Sequence, residues 1–595
     1  MQRRLILLRL VVVLAFALIL GRLVQLQIIE GRVNRRLADE NRIRVMRRLA
    51  PRGLIYDRHG RVLAGSRLAS SVGVFPEELR VLGAEDPASG LASLLGVPVE
   101  EVRAALADSG EIHYEPTILW RNADPEMVAR VEEHAVYLAG VSVLSGAVRH
   151  YPYGSLAAHV FGYVREISPE ELARPENAEY RPRDLIGKEG VERVAERALR
   201  GVDGGDQVEV DASGRRVRTL GTVPPWPGSD VFLTLDLDLQ QAAEEALGER
   251  AGAVVAMDPW TGEVLVMASH PAYDPNVFAG ALTPEEWSRL TGPEHPQQNR
   301  ATSARYPPGS VFKVVTAAAA LEAGVCDVHS RFRCTGALSL GDWTLHCWKR
   351  EGHGDIDFTE GLAQSCNVVF ATLGRRVGPE GLADMARRFG LGEPCGIDLP
   401  QEAAGLVPTP RWKRSARSEV WYPGDTCQMA IGQGDCLVTP LQVACAYAVV
   451  ANGGDLVRPH VIARIEGEAT PPARAVRGSA GLRRETIAAL QAGLEAVVAP
   501  GGTAHGIATE QYRIAGKTGT AQAPAGEPHA WFAGYAPAER PQLVIAVIVE
   551  HGGSGSAVAA PIARHVFDTA LLPPEERRPW ERGEEAVSPA AEVEE

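Results

Sequence analysis

Apolar positions crowd the start of the chain and never again run so long. From Leu5 to Ile29 the sequence is broken only by Gly21 and by Arg9, Arg22, Gln25 and Gln27. A bilayer core takes roughly 20 residues of helix, so this run predicts a membrane-spanning helix, with Arg9 snorkelling to the inner interface. A cleaved signal peptide is the alternative, but the one small-x-small pattern, Ala15-Phe16-Ala17, lies inside the run rather than after it. Residues 5–29 are therefore expected to be an uncleaved anchor and residues 1–4 a cytoplasmic tail. Arginines flank both ends and give no clear orientation, but long downstream domains translocate largely regardless of charge. That places the N-terminus in the cytoplasm of a single-pass inner-membrane protein, with the bulk of the chain outside.

Beyond the anchor the pattern alternates between strand and helix periods. Residues 30–48 are arginine-rich and read as a helical stalk. Apolar alternation around Asp57-Arg-His-Gly60 predicts a hairpin over 52–64, and Val208–Arg218 predicts another. Pro224, Pro225 and Pro227 with Gly228 mark a border near 228. A helix is predicted over Leu237–Arg250, then a hairpin pairing Ala253–Asp258 with Glu263–Ala268. Three strands come late, at Arg513–Ala521, His529–Tyr535 and Leu543–Glu550. A hairpin, a helical insert and three strands suggest an antiparallel sheet built from both ends of one domain. After 572 the chain is rich in Pro, Glu and Arg and is expected to be disordered. The resulting division is 30–228, 229–572 and a tail at 573–595, in an α+β chain.

Within the insert one stretch stands out, Tyr306-Pro-Pro-Gly-Ser-Val-Phe-Lys and the apolar run to Gly324. The prolines and Gly309 stop what precedes them, good helix formers follow, and Gly324 closes the helix. The run is apolar on nearly every side, so the helix is buried. Its first turn nevertheless carries Ser310 and Lys313, which share a face. A serine hydroxyl becomes a useful nucleophile when a nearby base takes its proton. A lysine serves as that base once burial or a second positive charge neutralises it. Taken alone, Ser310 as a helix cap and Lys313 as a snorkelling cation explain the tetrapeptide equally well.

Composition sharpens the choice. Only five of the 61 basic residues are lysine, at 188, 313, 349, 413 and 517. Arginine does wherever a plain charge suffices, and a deprotonatable amine is kept for few places. The net charge of −14 argues against nucleic acid as a partner. All eight cysteines lie between 326 and 445. Export permits disulfides, and Cys334 and Cys347 flank a segment that reads as a hairpin, which makes them the candidate pair. His346, Cys347 and His353 match no standard zinc spacing, so no metal and no cofactor is expected.

Two further motifs follow Ser310-x-x-Lys313: Ser365-Cys366-Asn367 and Lys517-Thr518-Gly519-Thr520. Ser-x-x-Lys, Ser-x-Asn and Lys-Thr-Gly in this order resemble the penicillin-binding proteins and class A β-lactamases. Arg52-Gly-Leu-Ile-Tyr-Asp-Arg-His-Gly60, Gly187-Lys-Glu-Gly-Val-Glu192, Asn299-Arg-Ala and Ile431-Gly-Gln-Gly434 narrow the resemblance to class B penicillin-binding proteins, over roughly residues 10–572. Cys347-Trp-Lys-Arg-Glu-Gly-His-Gly354 and His529-Ala-Trp-Phe-Ala-Gly-Tyr535 look like penicillin-binding protein 2, the elongation enzyme, more than its division counterpart.

The resemblance implies a pedestal domain over 30–228. It also implies a transpeptidase domain over 229–572, with a central antiparallel sheet flanked by helices. The implied activity is a serine-type D,D-transpeptidase that crosslinks peptidoglycan stem peptides and is a target of β-lactams. Ser310 would attack the D-Ala-D-Ala donor, with Lys313 as base and Ser365 and Asn367 relaying the proton. Lys517 would supply positive potential, and Thr518 and Thr520 would bind the terminal carboxylate. Gly519 would let substrate lie against the strand, and the backbone N–H groups of Ser310 and Thr520 would form the oxyanion hole. Mutual repulsion is expected to neutralise Lys313 and leave Lys517 charged. The glycosyltransferase RodA and other elongation-complex membrane proteins are the implied partners. The alternatives are a division-type transpeptidase, a scaffold or sensor with little turnover, and a β-lactamase. Class A hydrolases position water with Glu-x-x-x-Asn, but the sole asparagine between Asn367 and Lys517 is Asn452, with Ala448 four before it.

Overall fold

The computed structural model describes residues 2–30, 32, 43–75, 79–81, 85–107, 116–210, 216–469, 474–578 and 580. The chain forms two compact units that interleave along the sequence. One comprises Met1–Gly53, Ser66–Val148 and Arg200–Gly228; the other comprises Leu54–Gly65, Arg149–Leu199 and Ser229–Glu595. The interleaving has a local cause in the second unit. Ile55–Tyr56 pairs in parallel with Val231–Phe232 and antiparallel with the strand opening at Val62, so the residues around Asp57 fold with the C-terminal half.

In the first unit an apolar helix, Gln2–Val24, continues through a wider turn over Gln25–Ile29. The span Arg4–Ile29 is long and apolar enough to cross a membrane. Ile43–Arg48 is a strand, not the stalk helix that its arginines suggested. It pairs with Gly204–Val210, which pairs in turn with Arg216–Val223. The rest of the predicted stalk falls mostly outside the described residues. A separate core gathers Val72, Leu91, Leu95, Val102, Trp120 and Val131 beneath three short helices.

The second unit is built on five strands. Helix α1 (Leu237–Leu247) precedes β1 (Gly252–Met257) and β2 (Val264–His270). After them come α2 (Lys313–Glu322), α3 (Phe358–Ala363), α4 (Asn367–Val377), α5 (Pro440–Ala451) and α6 (Arg484–Val498). Then follow β3 (Ala515–Ala521), β4 (His529–Ala536), β5 (Leu543–Val549) and α7 (Ala560–Leu571). The sheet order is β2-β1-β5-β4-β3, antiparallel throughout. The chain thus closes its sheet from both ends, and β3 is left as an edge.

Side chains alternate between two cores, as a period of two requires. Val255, Trp531, Tyr535, Ala546 and Ile548 face the core that contains α2 and α5. Val254, Phe532, Ile545 and Val547 face the core that contains α1 and α7. Each fully buried Val or Ile contributes about 1.5–3 kcal/mol relative to exposure. The stretch from 573, expected to be disordered, is ordered at its start. Pro574–Glu576 forms a turn, and Trp580 packs on the second core, its ring 5.0 Å from that of His565. Residues 581–595 lie outside the described residues.

Candidate active site

Ser310 sits on a tight turn, Gly309–Phe312, that leads directly into α2. Hydrogen bonds to its backbone hold the turn from three sides. Trp531 Nε1 donates to Pro307 O at 3.0 Å, Tyr447 Oη donates to Val311 O at 3.0 Å, and Gly309 N donates to Gly432 O at 2.8 Å. Gly309 has φ +54°, a left-handed conformation that glycine adopts without strain. At Gly432 a Cβ would lie 2.2 Å from Gly309 O, so the Ile431-Gly-Gln-Gly segment owes its close approach to a missing side chain. Just upstream, Tyr306 Oη and Arg300 Nε both donate to Glu550, at 2.6 and 2.9 Å, which ties the end of β5 to the start of the stretch.

Lys313 is fully buried, and its Nζ donates to Ser365 O at 2.7 Å, Asn367 Oδ1 at 2.7 Å and Ser365 Oγ at 3.2 Å. The first two motifs are thereby one constellation. Ser365 has φ +55°, rare for a residue with a side chain, and this turn aims both its carbonyl and its hydroxyl at the amine. Asn367 Nδ2 donates to His346 O at 3.2 Å, which leaves its oxygen to accept from Lys313. The Ser310 hydroxyl makes no hydrogen bond among the described residues. Catalytic bonds are often long before ligand binds.

The third motif lies against the same turn. A Cβ on Gly519 would meet Trp531 Cβ at 2.9 Å, Val311 Cγ1 at 3.2 Å and Pro308 O at 3.4 Å. The bareness of Gly519 admits the turn carrying Ser310. A Cβ on Gly309 would likewise lie 3.1 Å from Thr520 O, so the turn before Ser310 abuts Thr520. Thr518 is buried, with Oγ1 2.8 Å from Thr503 Oγ1, while Thr520 is exposed.

The lysine pair departs from expectation. Burial lowers Lys313 to about 8, while the Cys366 and Cys347 sulfurs oppose the shift. Burial lowers Lys517 well below its ordinary value, and the Lys313 charge lowers it further. Among the described residues Lys313 has three acceptors for an ammonium, whereas Lys517 Nζ has one, Thr518 O at 3.0 Å. Without ligand, the proton therefore favours Lys313 over Lys517, the reverse of the sequence expectation. Hydrogen-bond acceptors stabilise the charged form as directly as burial opposes it.

Cys334 and Cys347 are not joined; every cysteine is a free thiol. Both sulfurs instead lie 3.5 Å from His353 Nδ1, and Cys347 Sγ lies 3.9 Å from Cys366 Sγ. The four ligand atoms fall within 4.8 Å of one another, and His346 is not among them. The mutual contact of Cys347 and Cys366 lowers the first thiol and raises the second. Zinc–sulfur bonds of about 2.3 Å set tetrahedral sulfurs about 3.8 Å apart, and three thiols with one imidazole form a closed structural donor set. These residues fit zinc, against the expectation of no metal, which rested on local spacing alone. Cys366 is the middle residue of Ser365-x-Asn367, so a metal here would stabilise the conformation of the second motif. Purified protein is expected to carry about one equivalent of zinc. The variants Cys334→Ser and Cys347→Ser should lose it and melt earlier, as read by elemental analysis and calorimetry; full zinc retention by both would contradict the assignment.

Residues 252–568 match the penicillin binding protein transpeptidase domain family, and residues 47–233 match the penicillin-binding protein dimerisation domain. The peptidoglycan D,D-transpeptidase MrdA of Acinetobacter baumannii is 35% identical over 563 residues, covering 90% of this chain and 82% of that one. The MrdA of Escherichia coli K12 is 34% identical over 594 residues, covering 94% and 93%. Among solved structures, the complex of penicillin-binding protein 2 with MreC from Helicobacter pylori matches with TM-score 0.76 and 28% identity, covering 89% of this chain and 98% of that one. Pseudomonas aeruginosa penicillin-binding protein 2 in complex with WCK 5153 matches with TM-score 0.69 and 32% identity, covering 91% and 100%. With a shared sheet and all three motifs in place, the chain belongs to the penicillin-binding protein transpeptidases, as a peptidoglycan D,D-transpeptidase of the penicillin-binding protein 2, elongation type.

Proposed function

We propose that crosslinking proceeds through an acyl-enzyme on Ser310. The observation that carries this reading is the grip of Lys313 Nζ on Ser365 and Asn367, one helical turn from Ser310. Ser310 Oγ attacks the carbonyl carbon of the penultimate D-Ala, and its proton passes to Lys313. The C–N bond breaks, and the terminal D-Ala leaves as an amine that takes a proton through Ser365. An acceptor amine then attacks the ester and restores the Ser310 hydroxyl. Lys517, Thr518 and Thr520 hold the donor's terminal carboxylate, and the Ser310 and Thr520 N–H groups stabilise the oxyanion. A carboxylate arriving beside Lys517 draws the pair's proton to it and leaves Lys313 neutral, as a base must be.

The same reading places Arg4–Ile29 across the cytoplasmic membrane, with the catalytic unit on the outer side. It assigns RodA as the glycan-polymerising partner and includes β-lactams as acylating ligands. Related solved structures are of complexes: one holds MreC, and another is a peptidoglycan synthase complex that coordinates polymerization and crosslinking. Rapid hydrolysis of the acyl-enzyme is disfavoured, because Asn452 Nδ2 is committed to Pro259 O at 2.8 Å and Asp455 O at 3.0 Å. After exposure to benzylpenicillin, intact-mass spectrometry should show one long-lived adduct, mapped to Ser310. An adduct that clears within seconds would favour a hydrolase, and an adduct on another residue would overturn the assignment.

A further inference from the structure

The loop that follows α6 touches the third motif and the segment leading into the second, and none of its residues figured in the sequence-based site. It turns back sharply at Gly502, where a Cβ would lie 2.2 Å from Val497 O and 2.4 Å from Ala496 O. The next residue, Thr503, donates its backbone N–H to Ala363 O at 3.2 Å. Ala363 ends α3, two residues before Ser365. The Thr503 hydroxyl lies 2.8 Å from that of Thr518. Thr503 therefore joins the segment bearing Ser365 to the strand bearing Lys517, and it is partly open to solvent.

A hydroxyl has one proton to give and two lone pairs with which to accept. The 2.8 Å contact consumes one of the two protons available, and either hydroxyl can supply it. If Thr518 donates to Thr503, its oxygen turns lone pairs toward any ligand beside it, and an anion there is repelled. If Thr503 donates to Thr518, the Thr518 proton is freed for the ligand, and accepting one bond strengthens donation of the next. An anionic ligand selects the second arrangement. Among the described residues Thr503 is the side-chain partner of Thr518 Oγ1, so Thr503 settles which way that hydroxyl faces.

We propose that Thr503 is a positioning residue for carboxylate recognition: its hydroxyl donates to Thr518 Oγ1 so that Thr518 presents its own proton to the carboxylate of the acylating ligand. The proposal rests on the reading of Thr518 as a carboxylate-binding residue. It adds a residue outside the three motifs and makes selectivity for acids over neutral ligands depend on it.

The test compares second-order acylation rate constants for benzylpenicillin and for its methyl ester, in the full-length protein carrying Thr503→Val or Thr503→Ser. Valine keeps the shape of threonine and removes the donor; serine keeps the donor. Wild type should acylate faster with the free acid. Thr503→Val should lose about tenfold with the acid, the size of one charge-assisted bond, and less than about twofold with the ester. Thr503→Ser should restore the acid rate. Equal losses with acid and ester would show a structural role and overturn the proposal. Unchanged acid acylation in Thr503→Val, with the wild-type preference for acid intact, would overturn it while leaving Thr518 as a carboxylate ligand. If wild type showed no preference for the acid, the carboxylate reading of Thr518 would itself fall and the proposal with it.

Discussion

Lys313→Arg is expected to remove acylation almost entirely, while Lys517→Arg weakens it more modestly. Arginine keeps the charge but cannot be deprotonated in a protein, so a guanidinium at position 313 has no lone pair to take the Ser310 proton. A positioned general base contributes about 10²–10⁴-fold, and a loss of that size is expected at 313. At 517 a fixed positive charge still attracts a carboxylate, so the loss there is expected to be about 10-fold, from imperfect fit in a fully buried site. The pH dependence separates the roles. Burial lowers Lys313 to about 8, so wild-type acylation should rise as pH increases through about 8 and the base loses its proton. In Lys517→Arg a permanent cation beside Lys313 disfavours the Lys313 ammonium, so the rise should move to lower pH. The measurement is the acylation rate constant of each protein with a fluorescent penicillin between pH 6 and pH 10, with melting temperature as a check on folding. A larger loss at 517 than at 313, or a rise that moves to higher pH in Lys517→Arg, would show that the two roles are assigned wrongly.

Much of this site is legible without the fold. The β1–β2 hairpin and β5 announce themselves by apolar runs between turn residues, as buried strands do, whereas β3 is read from the Lys-Thr-Gly motif it carries. The order of the three motifs then identifies the chemistry. Ile43–Arg48 does not read as a strand because its partner begins at Gly204, and no local pattern reports a partner so distant. The Cys334, Cys347, His353 and Cys366 cluster is hidden for a related reason. Spacing groups His346, Cys347 and His353 as neighbours, whereas the hairpin between Ala337 and His346 and the start of α4 bring in ligands from either side. Thr503 carries no signal at all, since a single threonine after a helix is common and only the fold sets it against Thr518. The lysine pair shows a subtler gap. Sequence indicates which amines are buried, but the acceptors around each one decide where a shared proton resides, and Ser365 supplies two of them only because its backbone adopts φ +55°.

Ser310→Ala is expected to abolish crosslinking outright while leaving the fold and the partner's polymerisation untouched. Removing the oxygen removes the proposed point of acyl attachment, and no neighbouring group replaces it: Lys313 Nζ is occupied by Ser365 and Asn367, and an amide formed on an amine would not turn over. The substitution deletes one partly buried oxygen that makes no hydrogen bond among the described residues, so its cost in stability should be less than about 0.5 kcal/mol. Residues 30–228 carry none of the three motifs, so any stimulation of RodA through them should survive. The decisive measurement reconstitutes the full-length protein with RodA and lipid-linked precursor, digests the glycan, and quantifies crosslinked muropeptide dimers by mass spectrometry. The account predicts dimers with wild type, none with Ser310→Ala, and equal glycan polymer from both. Dimers formed by a folded, membrane-inserted Ser310→Ala protein, or polymerisation lost along with crosslinking, would contradict it.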